Sequence, residues 1–136
     1  MKIIFILLIF IFPNIANAEN FNFKKIVDLK DPWGSTFINK NSLLITEKGG
    51  FIKLVDLKNK KINLINHNLN FLEHGQGGLL DILFNDNFIY ISYSENRGNW
   101  KTSTSIAKAK FNNKNLIFEN IFQANPPIDS GYHFGS

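Results

Sequence analysis

Two glycine-rich segments hold the side chains best suited to chemistry on a hydroxylated molecule: Gly75-Gln76-Gly77-Gly78-Leu79-Leu80-Asp81 and Gly131-Tyr132-His133-Phe134-Gly135-Ser136. An imidazole titrates near neutral pH, so the neutral form of His133 can take a proton from a hydroxyl. The amide of Gln76 can both donate to and accept from hydroxyl groups. Flanking glycines let backbone come close, so Gly75, Gly77 and Gly78 read as conformational residues rather than ligands. By residue type alone, each segment also fits an ordinary flexible loop. The remaining polar candidates point to structure. His67 and His74 have no cysteine and no close third ligand, which argues against zinc. Asp56 and Asp86 fall in turns that favour local hydrogen bonding, without the alternating carboxylates of a calcium loop. Asp81 opens a strand and reads as a structural partner, and Trp33 reads as core. The sequence has no nucleophile elbow, phosphate-binding glycine loop or dinucleotide fingerprint, so hydrolase, kinase and nicotinamide chemistries find no support.

These segments must be held by strands. Beyond residue 30, short apolar runs alternate with turn residues, and no stretch keeps a helical period. Strands are expected at Trp33 to Ile38, Ser42 to Glu47, Phe51 to Asp56, Lys61 to Ile65, Leu79 to Phe84, Phe88 to Tyr93, Thr104 to Phe111 and Leu116 to Gln123. Lys48-Gly49-Gly50 offers the positive φ angles of a tight hairpin. The strand order occurs twice, with Gly34 matching Gly78, Phe37 matching Ile82 and Ile45 matching Ile91, a period of about 45 residues that suits propeller blades. Two blades alone leave an apolar face and sheet edges exposed, so such a unit is expected to need further blades.

Compartment and partners follow from composition. Lys2, the apolar run Ile3 to Phe12 and the small-residue ending Ala16-Asn17-Ala18 read as a cleaved signal peptide over residues 1–18. The run is shorter than the roughly 20 residues of a membrane span, so the mature chain from Glu19 is expected to be periplasmic or secreted with no membrane span. Without cysteine, export brings no disulfide framework, and stability must come from the core. The net charge of +4 comes mostly from dispersed lysines, with Arg97 the one arginine. Phosphate and base forks need arginine, so nucleic-acid binding is excluded.

Residues Val27 to Ser136 resemble the soluble sugar dehydrogenases that use pyrroloquinoline quinone (PQQ), the glucose/sorbosone or aldose type. The resemblance is carried in order by Pro32-Trp33-Gly34, Leu44-Ile45-Thr46-Glu47-Lys48-Gly49-Gly50, Gly75 to Asp81, Ile89-Tyr90-Ile91-Ser92-Tyr93 and His133-Phe134-Gly135-Ser136. It implies an all-β fold, the first two blades of a six-bladed β-propeller, with residues 19–136 as the N-terminal part of that domain. It implies oxidation of aldose sugars to lactones, with PQQ as hydride acceptor, calcium as Lewis acid, and a further electron acceptor downstream. By the same resemblance His133 is the catalytic general base and Gln76 lies beside quinone and substrate, while the quinone and calcium ligands belong to later blades. The resemblance thus implies that the chain is the beginning of a longer enzyme. Two alternatives stand beside it: a noncatalytic β-propeller that binds sugar or protein, and a short β domain that closes a ring with copies of itself.

Overall fold

The computed structural model describes residues 21–135; the expected signal peptide at 1–18 and Ser136 lie outside them. Nine strands form two sheets: β1 (Pro32–Asn39), β2 (Ser42–Glu47), β3 (Phe51–Asp56), β4 (Lys61–His67), β5 (Leu79–Asn85), β6 (Phe88–Asn96), β7 (Thr102–Lys110), β8 (Asn115–Leu116) and β9 (Glu119–Gln123). The first sheet has the order β1-β2-β3-β4-β8 and the second β5-β6-β7-β9. Within each sheet the first four strands pair antiparallel in sequence, except that β9 takes the fourth place in the second. Two successive four-stranded meanders packed face to face are two blades of a β-propeller.

Period-2 patterning produces the packing. In β6, Ile89, Ile91 and Tyr93 point to one face and are buried, with Ala107 and Ala109 beside them from β7. Leu44, Ile52 and Ile65 of the first sheet meet this face in a single core. Each such aliphatic side chain contributes about 1.5–3 kcal/mol. The inner strands also meet directly: Thr36 Oγ1 accepts the Phe84 N–H at 3.1 Å.

Turn chemistry follows the sequence. Gly50 adopts φ +92° in the first sheet, and Asp86 and Asn87 take the two left-handed positions of a tight hairpin in the second. The Asp56 carboxylate accepts the backbone N–H groups of Asn59 and Lys58, each at 2.9 Å, and the Asn59 side chain at 2.7 Å. The Asn59 backbone bond is the leading reason that its pKa is held below the ordinary value.

Three expectations are corrected. The strand expected over Leu116 to Gln123 is two strands, because Asn68 uses its side chain to satisfy both backbone groups of Phe118. Phe118 N–H donates to Asn68 Oδ1 at 2.7 Å, and Asn68 Nδ2 donates to Phe118 O at 3.1 Å. Leu116 therefore stays with β4, in parallel pairing, and only Glu119–Gln123 joins β7. The match of Phe37 to Ile82 also fails. Phe37 continues the register of Ser35 with Ile45 and Thr36 with Leu44, so it pairs with Leu43 on the outer face, 60% exposed, whereas Ile82 pairs with Ile91 in the core. Trp33, expected as core, is 47% exposed.

The other repeat matches correspond. Ile45 and Ile91 are both buried on second strands. Gly34 donates its N–H to Thr46 Oγ1 at 2.9 Å, and Gly78 donates to Ser94 Oγ at 2.7 Å, so each blade uses one buried hydroxyl on its second strand to hold the chain entering it.

Candidate active site

Two connections bring the predicted residues to one end of the second blade. The segment from β4 to β5 carries Gln76, and the segment after β9 carries His133. The first is anchored on β6, where Leu72 N–H donates to Ser94 O at 3.0 Å and Ser94 N–H to Gly78 O at 2.9 Å. The second is anchored on β7, where Thr102 and Ile128 exchange backbone hydrogen bonds of 2.8 and 2.9 Å. The buried Thr102 hydroxyl also donates to Ser130 O at 3.3 Å.

The segments then cross. Gln76 N–H donates to Gly131 O at 2.6 Å, and Gly77 N–H turns back to His74 O at 2.8 Å. The crossing is close because Gly75, at φ +57°, carries no side chain; a Cβ there would lie 2.3 Å from Gly131 O. Gly77 is also confined, since its Cβ would meet Ser94 Oγ at 2.7 Å and Phe134 Cε2 at 3.0 Å.

His133 follows directly. Its backbone N–H donates to Gln76 Oε1 at 3.3 Å, which places two residues 57 positions apart in one contact. His133 holds φ +67°, an uncommon backbone state for a residue with a side chain, and both His133 and Gln76 are exposed. The amide oxygen of Gln76 is directed to the His133 backbone, while its NH₂ group takes no part in that contact. His133 thus has a placed backbone and an accessible ring, as a base acting on a bound molecule requires.

The other titratable residues are structural. Leu69 N–H donates to His67 Nδ1 at 3.3 Å, so Nε2 carries the ring proton and donates to Gly50 O at 2.9 Å. His74 lies over Gly131 in the crossing, and Asp81 Oδ1 accepts the Ile82 N–H at 2.8 Å. Arg97 donates to Ser103 Oγ at 3.0 Å and Asn125 Oδ1 at 3.4 Å. Sequence reading missed the supports: Ser94, Thr102 and Glu95. The Glu95 carboxylate accepts from Ser105 Oγ at 2.6 Å, Asn120 Nδ2 at 3.0 Å and Gln123 Nε2 at 2.8 Å, tying β6, β7 and β9 together. The recurrence of a small hydroxyl residue at Thr46 and Ser94 was the available signal, and it shows only once the repeat is aligned by hydrogen bonding.

The glucose/sorbosone dehydrogenase family model matches residues 29–136. The chain belongs to this family. The aldose sugar dehydrogenase YliI of Escherichia coli K12 is 29% identical over 116 residues, covering 79% of this chain and 31% of that protein. A crystal structure of a glucose dehydrogenase superposes with a TM-score of 0.73 at 29% identity, covering 79% of this chain and 34% of that one. The PQQ-bound aldose sugar dehydrogenase of Streptomyces coelicolor shares the fold, with a TM-score of 0.63 at 20% identity over 73% of this chain and 32% of that one. The chain spans about a third of the length of the curated relatives it matches.

Among the described residues of this family member, no three metal-ligating side chains converge. Arg97 is already committed to Ser103 and Asn125. These residues therefore do not by themselves fit the carboxylates of a quinone or a calcium ion. What they do form is a contact pair, an exposed imidazole and an exposed amide joined through the His133 backbone.

Proposed function

We propose that this chain is the N-terminal part of an exported PQQ-dependent dehydrogenase that oxidises aldose sugars to lactones, with His133 as general base and Gln76 as a substrate- or quinone-binding residue. The observation that carries the proposal is the bond from the His133 backbone to Gln76, which joins the two family-type segments at one end of the second blade. His133 takes the proton of the anomeric hydroxyl, the role of general base that an imidazole side chain can fill. The Gln76 NH₂ group donates to an oxygen of the bound molecule and orients it. When bound, the quinone supplies the hydride acceptor, with calcium as its Lewis acid, through ligands in the remainder of the protein.

The test is a dye-linked assay of the full-length protein carrying this segment, reconstituted with PQQ and calcium and offered aldoses. Turnover that disappears in His133→Ala, while quinone affinity stays within about twofold, is the expected result for a base that touches substrate alone. Sugar binding without turnover in the wild type would instead favour a noncatalytic propeller. Export is part of the same proposal. A mature protein beginning at Glu19 is expected from N-terminal sequencing, and retention of residues 1–18 would refute cleavage.

A further inference from the structure

We infer that Ser94 is a positioning residue for the His133 base, acting through the Gln76 segment; the inference rests on the dehydrogenase reading above. Ser94 is fully buried at the β6 end and cannot touch a substrate, so any effect it has must pass through its neighbours.

Its bonds are unusually complete. The hydroxyl donates to Leu72 O at 2.7 Å and accepts the Gly78 N–H at 2.7 Å. The backbone N–H donates to Gly78 O at 2.9 Å, and the carbonyl accepts the Leu72 N–H at 3.0 Å. One residue therefore holds both ends of the 72–78 segment, which carries Gln76. Between those ends Gly77 packs closely against Ser94 and the Phe134 ring, since a Cβ on it would lie 2.7 Å from Ser94 Oγ and 3.0 Å from Phe134 Cε2. Phe134 is the next residue after His133. Gln76 meanwhile reaches the 131–133 segment twice, through its own N–H to Gly131 O at 2.6 Å and through its amide oxygen to the His133 N–H at 3.3 Å. A shift of the Ser94 hydroxyl is thus transmitted to His133 along both its flanks.

The first blade supplies an internal control. Thr46 occupies the corresponding place, where its hydroxyl accepts the Gly34 N–H at 2.9 Å and donates to Leu80 O at 2.5 Å. The hydroxyl, rather than serine as such, is what the position requires, so Ser94→Thr should act as the conservative variant. Alanine leaves the Leu72 carbonyl and the Gly78 N–H without their buried partner.

The experiment uses the full-length protein in three forms, wild type, Ser94→Ala and Ser94→Thr, with two readouts. Amide hydrogen exchange reports the segments directly. In Ser94→Ala, exchange at Gln76 and His133 should rise together by about tenfold, the equivalent of one lost hydrogen bond, while Ile91 and Ala107 stay protected. In the PQQ-loaded enzyme, kcat at saturating quinone should fall by about tenfold or more, as expected for a misplaced base. Ser94→Thr should restore both. Faster exchange at Gln76 with none at His133, or an unchanged kcat despite faster exchange at both, overturns the inference. A wild type that oxidises no aldose defeats the dehydrogenase reading instead, and the exchange result still decides whether Ser94 positions His133. If Ser94→Ala does not fold, Ser94→Cys, which fills the site with a slightly larger group that is a weaker donor and acceptor, gives the same comparison.

Discussion

Replacing Gly75 by alanine tests whether the crossing of the two segments sets the site. The new Cβ would stand 2.3 Å from Gly131 O and 2.9 Å from Gly131 C and Cα, all backbone atoms that no rotamer change can move. A carbon–oxygen contact relaxes only near 3.3 Å, so the segments must separate by about 1 Å. Gly75 also holds φ +57°, where a side chain costs about 1–2 kcal/mol. Separation lengthens the 2.6 Å bond from Gln76 N–H to Gly131 O, adding about 1 kcal/mol. The total is about 2–3 kcal/mol of stability, and a 1 Å displacement of a catalytic group can lower turnover by about 100-fold. Gly98→Ala separates strain from collision, because Gly98 has φ +78° but no atom within 4 Å of its would-be Cβ. The assay is urea unfolding together with dye-linked aldose oxidation of full-length protein. Gly98→Ala should lose about 1–2 kcal/mol with turnover nearly intact, and Gly75→Ala should lose both stability and turnover. If the two variants lose the same stability and both keep turnover within about twofold, the crossing does not position His133 and the reasoning fails.

Two further outcomes can be checked by unfolding and sizing. Burial raises the pKa of the Tyr93 phenol above its ordinary value of 10.0, and its O–H donates to Asn120 Oδ1 at 2.7 Å. The folded state thus favours the protonated form, so this stabilisation is full below pH 10 and is lost as pH rises through the higher folded value. Tyr93→Phe should cost about 1 kcal/mol near neutrality and flatten the fall in urea midpoint above pH 10; an equally steep fall would show that Tyr93 is not its source. Residues 19–136 produced alone should associate, because Phe37, Phe51 and Leu64 are exposed on the outer face of the first sheet and Leu83 and Phe122 on that of the second. A monodisperse monomer with a cooperative melt would refute that expectation.

Much of the blade architecture could be read from alternation and turn residues. β2 and β3 lie within the expected bounds because each is bracketed by polar turns and carries strand-forming residues at a steady period. β6 runs past its expected end and β7 begins before its expected start because Glu95 and Ser103, with Ser105 beside them, carry the ladder as polar residues. Their carboxylate and hydroxyl groups are satisfied by one another and by Arg97, Asn120 and Gln123, which hydrophobic patterning cannot register. Asn68 acts on Phe118 from 50 positions away, so the break between β8 and β9 was likewise hidden from any local pattern.

Local chemistry and ordered motifs in the sequence determined the fold class, the family, and Gln76 and His133 as the residues to examine, because strand period, turn glycine and motif spacing are properties of neighbouring residues. Tertiary structure alone decided that these two residues meet, that the Gln76 oxygen is directed to the His133 backbone, and that Ser94 supports the segment between them. Those facts depend on two chain segments passing within bonding distance at Gly75 and Gly131, and closeness of that kind arises only when the blades pack.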